Sequence, residues 1–138
     1  MKPYIYIVTP AATAVAAGAS LPLTTPPVRR SCNTVLGQSG NAVTVRDCYP
    51  NLYEVEVNAT FTAPVAGNVT LTAQQNGTDI PGGTATTTVA TATTAVQSLS
   101  FTVPFRATRG PITDTISIAN TGVAATFSNI SVIVRRVG

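Results

Sequence analysis

Histidine and tryptophan are absent from this sequence of 138 residues, and lysine occurs only at position 2. Without histidine, neither a histidine-dependent catalytic triad nor a histidine-ligated metal site can form. Charged residues make up only 9% of the chain, against roughly 25% in an ordinary soluble domain. Because a free monomer usually relies on charge for solubility, we expect much of this surface to be covered in an assembly.

Helix-forming surface residues and long apolar runs are also scarce. We find no segment with helical periodicity, and no stretch of about 18 apolar residues that would predict a transmembrane helix. The polar surface must therefore come from Thr, Ser, Asn and Gln, and threonine suits strands because it is β-branched. The composition predicts a single all-β domain.

Strict alternation of apolar and polar side chains marks residues 53–78. Period-two alternation is what a half-buried strand requires, because successive side chains leave opposite faces of a sheet. The segment predicts two strands joined at 63–67 by a short Pro/Gly turn, as in a β-hairpin. The predicted inward side chains are Tyr53, Val55, Val57, Ala59 and Phe61, followed by Val69, Leu71 and Ala73.

Alternation returns over residues 97–106, 112–119 and 126–136. In the last of these segments Phe127 has the opposite parity to Ile130, which predicts a β-bulge before Asn129. About eight strands at this spacing indicate an antiparallel β-sandwich or jelly roll. We predict that this domain spans residues 31–138 and follows an extended N-terminal arm over residues 1–30. Pro3 and Pro10 interrupt the apolar stretch that a signal peptide would need.

Two cysteines, Cys32 and Cys48, flank a predicted hairpin with strands at 33–36 and 42–46. Their positions near its open end allow a disulfide bond. The alternative is a pair of buried thiols that pack as small hydrophobic side chains. No C-x-x-C or Cys/His spacing of a metal site occurs, and we predict no metal and no cofactor.

The net charge of +3 does not by itself predict nucleic-acid binding, because the basic residues are not clustered along one segment. Two arginine pairs, Arg29–Arg30 and Arg135–Arg136, are predicted to contact a neighbouring subunit. Glu54 and Glu56 lie on one face of one strand, roughly 7 Å apart. Paired catalytic carboxylates can have this spacing, but they usually come from different strands within a cleft. We therefore predict an exposed acidic face or a partner for arginines across an interface, and no enzyme activity.

Two sequence stretches carry a family resemblance: YEVEVNATFTAPVAGNVTLTAQQNGTDIPGGTAT and ISIANTGVAATFSNISVIV. They resemble a group of small β-proteins from bacteria and phages that look like the trimeric jelly roll of the tumour-necrosis-factor and complement-globular-head superfamily. The resemblance covers roughly residues 20–138 and is specific at 60–71 and 120–129. The chain departs from the group at 50–53, where Pro-Asn-Leu-Tyr replaces the usual Gly-Tyr-Tyr, which affects the expected trimer core.

The resemblance implies a homotrimer, for which Tyr53, Phe101 and Phe127 are our candidates at the three-fold axis. We expect Tyr4 and Tyr6, together with the two arginine pairs, to contact partners. The predicted function is that of a virion structural protein: a trimeric capsid decoration (cement, or auxiliary head) protein that binds the major capsid protein or other virion proteins. It would be made in the cytoplasm of a bacterial host and reside on the capsid surface, with no membrane contact. The alternatives are a fibre or surface module that recognises carbohydrate or a host receptor, and a bacterial spore-surface jelly roll.

Overall fold

The structure is a computed structural model that describes residues 2–31, 34–108 and 113–138. Regular structure in these residues consists of β-strands. In chain order they are β1 (Tyr4–Thr9), β2 (Thr13–Val15), β3 (Arg29–Ser31), β4 (Leu36–Ser39), β5 (Ala42–Val45), β6 (Leu52–Ala63), β7 (Gly67–Gln75), β8 (Thr78–Val89), β9 (Thr93–Arg106), β10 (Asp114–Asn120) and β11 (Ala125–Arg136).

These strands form two antiparallel sheets that pack as a sandwich, which confirms the predicted all-β jelly roll. The first sheet has the order β3-β1-β11-β6-β9, with β2 paired to one end of β11. The second sheet has the order β4-β5-β10-β7-β8. Each sheet turns its apolar side chains inward, and the interior includes the ring pairs Tyr53–Phe105 and Phe61–Phe127, with centroids 5.7 and 5.9 Å apart. Burial of this apolar surface is the main stabilising term.

The alternation predicted for β6 and β7 is confirmed, but the predicted hairpin between them is wrong. Strand β6 pairs with β9 and β11 in the first sheet, whereas β7 pairs with β8 and β10 in the second. The turn at 64–66 therefore carries the chain from one sheet to the other. Period-two alternation identifies the apolar face of a strand, but it does not identify the strand's hydrogen-bonding partner.

The predicted separation of an N-terminal arm over residues 1–30 is also corrected. Strand β1 lies between β3 and β11, in register from Tyr4 opposite Arg135 to Thr9 opposite Ile130. Farther along, Leu21 and Leu23 are fully buried in the core. The N-terminal residues alternate as any other strand of the sandwich does, and so they belong to the domain.

A bulge in the last strand is confirmed, but it lies at Asn129 and Ile130, not before Asn129 as predicted. The register of β11 against β6 shifts between Ser128 and Ser131, and Asn129 has a φ of 48°, in the left-handed region. Because of the extra residue, Phe127 and Ile130 can both face the core despite their odd separation.

A hairpin near the cysteines is confirmed as β4 and β5, but its first strand is Leu36–Ser39 where 33–36 was predicted, and its turn is confined to Gly40 and Asn41. Cys48 is exposed, so the alternative of two buried thiols is wrong for this cysteine. Cys32 and Arg109 lie outside the described residues. Ile112, which was predicted to begin a strand, also lies outside them, and the strand described there begins at Asp114.

Gly122, in the turn between β10 and β11, packs against the backbone of β7. A Cβ atom at this position would collide with the carbonyl oxygen of Asn68 and lie 2.7 Å from the amide nitrogen of Thr70. We expect Gly122→Ala to lower the free energy of unfolding by about 3 kcal/mol, because two backbone segments would have to separate. Urea unfolding measures this change.

Gly37→Ala is the matched control for Gly122→Ala. The added Cβ would meet only a side-chain atom, Oγ1 of Thr44, at 2.9 Å. Because that hydroxyl can rotate away, we expect a loss of no more than about 1 kcal/mol. Equal losses for the two variants would contradict the proposed backbone contact.

Candidate subunit interface

The outer face of the first sheet carries large apolar side chains that lie partly exposed. Tyr4, Tyr6 and Val8 leave this side of β1, while Ile5 and Ile7 enter the core. Ile133 lies opposite Tyr6 on the neighbouring strand β11. The cross-strand pairing of β1, β11, β6 and β9 places further, mostly polar side chains on the same face: Ser131, Arg135, Glu54, Glu56, Asn58, Ser100, Thr102 and Pro104.

The outer face of the second sheet has a different chemical character. Its cross-strand neighbours are mainly hydroxyl and amide side chains that bond to one another. The hydroxyls of Thr70 and Thr86 lie 3.0 Å apart, and Thr88 donates to the side-chain oxygen of Asn68 at 2.9 Å. Such a surface is already satisfied by internal hydrogen bonds and by water. The two sheets therefore differ in what they offer a partner: the first presents tyrosine, valine and isoleucine, and the second presents hydroxyls.

Glu54, Glu56 and Arg135 form an ion cluster on the outer face of the first sheet, near the start of β6 and the end of β11. The guanidinium of Arg135 donates to a carboxylate oxygen of Glu54, and its other terminal nitrogen lies 3.4 Å from Oε2 of Glu56. The side chain of Arg135 is 42% exposed, so this cluster contributes at most about 1 kcal/mol to the folded chain. Glu54 and Glu56 thus pair with an arginine of their own chain, and the predicted pairing with arginines across an interface stays a prediction.

Tyr53 and Phe127, which we predicted at the trimer axis, lie instead inside the sandwich. Both are 0% exposed in the single chain, so their side chains cannot reach another subunit. Phe101 stands opposite Val57 and has the same inward parity, but it remains partly exposed because β9 is an edge strand. A subunit contact through Phe101 stays a prediction.

The other predicted contact residues fall into two groups. Tyr4, Tyr6 and Arg135 come together on the outer face of the first sheet, and Arg29 extends that row from β3, where it lies opposite Tyr6. Arg30 is exposed on the same edge strand, opposite Ile5. The remaining residue, Arg136, has the opposite parity to Arg135 and lies near Asp47.

Asp47 is a buried carboxylate that organises one end of the sandwich. It accepts hydrogen bonds from the Tyr53 hydroxyl at 2.7 Å, from the Asn51 side chain at 2.9 Å and from the Tyr49 amide at 3.1 Å. Burial alone would raise its pKa, but these bonds and the charge of Arg136 outweigh burial and lower the pKa below the ordinary value of 3.8. Asp47 therefore remains ionised and fixes the loop before β6.

Asp114 is fully buried at the start of β10. Its carboxylate accepts hydrogen bonds from the amide and the hydroxyl of Thr108, each at 2.7 Å, and from the side chain of Asn76 at 2.8 Å. Burial would raise its pKa, but these donors outweigh burial and lower the pKa below 3.8. Asp114 thus ties the end of β9 and the β7–β8 turn to the second sheet.

Sequence reasoning missed the anchoring roles of Asp47 and Asp114 and the exposure of Ile133. The available signal was a lone carboxylate at an inward position of an alternating strand, since such a residue is rarely buried without hydrogen-bonding partners. The structure does not bring Glu54 or Glu56 together with Asp114, because the glutamates face outward from the first sheet and Asp114 belongs to the second. Within the described ranges we find no cluster of metal-ligating side chains and no helix long and apolar enough to cross a membrane.

Solved structures of the same architecture align with nearly the whole chain. Murine APRIL superposes with a TM-score of 0.73 at 16% sequence identity, over 99% of this chain and 100% of that chain. The chain has the tumour-necrosis-factor-like jelly-roll fold. PRD1 vertex protein P5 gives a TM-score of 0.64 at 15% identity, covering 99% of this chain and 97% of the other. The globular domain of the zebrafish complement 1qA protein gives a TM-score of 0.61 at 8% sequence identity, covering 96% of this chain and 94% of the other.

At the level of sequence, neither a family model nor a curated protein matches this chain. Identities this low establish a shared fold and leave function to be argued from the surface. In this tumour-necrosis-factor-like fold, the surface with the strongest apolar character that we have described is the outer face of the first sheet.

Proposed function

We propose that this protein is a non-enzymatic structural component of a virus particle, and that it acts as a homotrimer held together through the outer face of the first sheet. The observation that carries the proposal is the asymmetry between the two outward surfaces. One presents Tyr4, Tyr6, Val8 and Ile133 in neighbouring positions, and the other presents hydrogen-bonded hydroxyls. Covering the apolar face would remove it from water, at roughly 25 cal/mol per Å².

Charge on this face also supports association between copies. The ion cluster on this face holds two carboxylates and one guanidinium, which leaves one negative charge per chain without a matching cation in the cluster. The exposed Arg29 lies at the edge of the same face. A neighbouring copy can therefore supply a cation to that cluster, and opposite charges brought together across an interface favour the correct orientation.

A place in a virion is supported by the shared fold of PRD1 vertex protein P5 and by the low charge of this chain. The specific role we propose is decoration of the capsid surface through contacts with the major capsid protein. In that role the protein would act mechanically, because surface buried between neighbouring capsid subunits stabilises the shell. No turnover, metal or cofactor is required.

Tyr6→Asp and Ile133→Asp test the trimer directly. These positions are cross-strand neighbours on the outer face of the first sheet. We expect the wild-type protein to have the mass of three chains by light scattering. Each variant should shift to single chains at micromolar concentration, because an unpaired carboxylate at the centre of an interface costs several kcal/mol.

Thr86→Asp, on the outer face of the second sheet, is the matched control and should remain a trimer. Far-ultraviolet circular dichroism checks that all three variants are folded. A wild-type protein that is a single chain would refute the trimer, and a trimer that survives both aspartates would place its interface elsewhere.

Binding to the shell tests the virion role. Purified empty shells assembled without this protein should sediment together with the wild-type trimer. A trimer that ignores such shells would contradict the decoration function and favour the alternative, a surface module that recognises carbohydrate.

One groove is the candidate site for the alternative function, carbohydrate recognition. It measures about 520 Å³ and is lined in part by Gln75, Asp79 and Arg106. Its aromatic member, Phe105, is 4% exposed and stacked on Tyr53, so its ring is not available to stack on a sugar. The groove therefore supports carbohydrate binding less well than the apolar face supports assembly.

A further inference from the structure

The charged side chains of the described residues are segregated to one end of the sandwich. The eight basic and five acidic residues leave four long runs of sequence without any charge: 3–28, 57–78, 80–105 and 115–134. Because neighbouring strands are antiparallel, each run leaves the charged end, turns at the far end and returns. The far end, named here the charge-free end, consists of the turns at 10–19, 64–66, 90–92 and 121–124.

Pairings and hydrogen bonds show that these four turns lie together. Strand β2, in the first turn, pairs with the start of β11. The last residue of β6, Ala63, lies opposite Thr93, which follows the third turn. The fourth turn reaches β7, where the amide of Val123 donates to the carbonyl of Asn68 at 2.9 Å.

Exposed apolar groups and two grooves cover the charge-free end. Val65 is 46% exposed, and Val96, at the adjoining start of β9, is 67% exposed. A groove of about 510 Å³ lies between Pro64 and Ala92, and a second of about 270 Å³ lies between Pro64 and Ala124. The two grooves share Pro64, so they form one continuous uncharged surface with depressions.

The charge-free end is held rigidly by a buried asparagine. Asn120 is 0% exposed, and its side chain donates to the carbonyls of Val15 at 3.1 Å and Val123 at 3.0 Å. Its side-chain oxygen accepts from the amide of Gly122 at 3.1 Å, and its backbone carbonyl accepts from Gly18 at 2.7 Å. These bonds order the turns before any partner arrives. Alanine and proline side chains also lose almost no rotamer entropy on contact, so docking here has a low entropic cost.

The chemistry of this end selects the kind of partner. Nucleic acid requires cations, and interfacial membrane binding typically uses aromatic and basic side chains; the four turns contain neither. A second copy of the same end is a poor fit, because no side chain in these turns is larger than valine, threonine or proline. Two such ends face to face would leave the grooves unfilled, and atoms that line an unfilled gap forfeit packing energy.

We propose that the charge-free end docks onto a protein surface that presents large uncharged apolar side chains, which insert into the two grooves beside Pro64. The proposal rests on the virion function argued above, so the partner is a protein of the shell. The charged end then points toward solvent, where its exposed lysine, arginine and aspartate side chains keep the particle surface hydrated.

The test places two charges in the grooves and measures shell binding. Ala92 and Ala124 are exposed, and each lines one groove. We expect the double variant Ala92→Asp/Ala124→Asp to bind purified empty shells, assembled without this protein, at least about 100-fold more weakly than wild type, because both carboxylates would be buried unpaired. The control Val28→Asp/Thr78→Asp makes the same change in net charge at exposed positions outside this end and should bind as wild type does.

Salt gives a second readout. An interface without charge should retain its affinity between about 0.05 and about 0.5 M NaCl, a range over which exposed charge pairs become screened. The proposal is overturned if wild type and the Ala92→Asp/Ala124→Asp variant bind shells equally, or if wild-type binding falls steeply with salt. Either result would leave the decoration function intact. A six-chain species of the wild type that the double variant abolishes would identify a second copy as the occupant and would also overturn it. If wild-type trimers do not bind shells, the decoration function fails, and this inference fails with it.

Discussion

Asp114→Ala is expected to lower the free energy of unfolding by about 3 kcal/mol, which is a large fraction of the stability of a single domain. The carboxylate is fully buried, and its loss leaves three donors without their acceptor: the amide and hydroxyl of Thr108 and the side chain of Asn76. Urea unfolding at pH 7 measures the change. The exposed Asp79, which accepts a bond from Gln74, is the matched control, and Asp79→Ala should cost no more than about 0.5 kcal/mol.

The same carboxylate gives stability a defined dependence on pH. The pKa of Asp114 is lower in the folded chain than its ordinary value of 3.8, because the hydrogen bonds to the carboxylate outweigh its burial. Its contribution is therefore fully present above the unfolded pKa and is lost as the pH falls through the folded pKa. Asp114→Asn, which keeps the shape of the side chain, should lose less stability than wild type between about pH 5 and about pH 2. Identical acid profiles for the two proteins would show that Asp114 does not contribute in this way.

Phe127→Ala is expected to lower the free energy of unfolding by about 4 kcal/mol. The ring is 0% exposed and packs against Phe61, so truncation leaves a cavity between the sheets. Because the contact lies within one chain, the mass of the folded variant at native conditions should remain that of wild type. Unfolding in urea and light scattering together measure both quantities.

Phe101→Ala is the matched control for Phe127→Ala, since it removes the same atoms from a partly exposed position on edge strand β9. We expect Phe101→Ala to lower the free energy of unfolding by about 1–2 kcal/mol, because the Phe101 ring is less buried than that of Phe127. Dissociation of the Phe127 variant into stable single chains would contradict its placement in the core and restore the subunit contact that its aromatic character suggested.

Aromatic residues show what alternation along the chain can and cannot specify. The inward parity of Tyr53 and Phe127 was predictable, yet the sequence alone could not say whether inward meant toward the other sheet or toward another subunit. Large apolar side chains suit both environments. Both rings point toward the second sheet, which supplies enough apolar surface to bury them within one chain.

The candidate interface could be predicted only in part. Tyr4, Tyr6 and Arg135 were predicted as contact residues, and the structure places them together on the outer face of the first sheet, while contact with a partner stays a prediction. Ile133 was not named as a contact residue, although alternation places Val132 and Val134 on the inward face and therefore Ile133 on the outward one. The register of β11 against β1 places Ile133 outward, opposite Tyr6.

What the sequence determined by itself is local. The absence of histidine excludes histidine-dependent catalytic triads and histidine-ligated metal sites. Threonine-rich alternation specifies strands and their apolar faces, and the parity change between Phe127 and Ile130 specifies a bulge. What only the tertiary structure decided is the pairing, which puts β6 and β7 in different sheets and β1 between β3 and β11. This pairing gathers the charges of the described residues at one end. The physical reason is that a period of two encodes which side of a strand avoids water, whereas pairing depends on contacts between residues far apart in the chain.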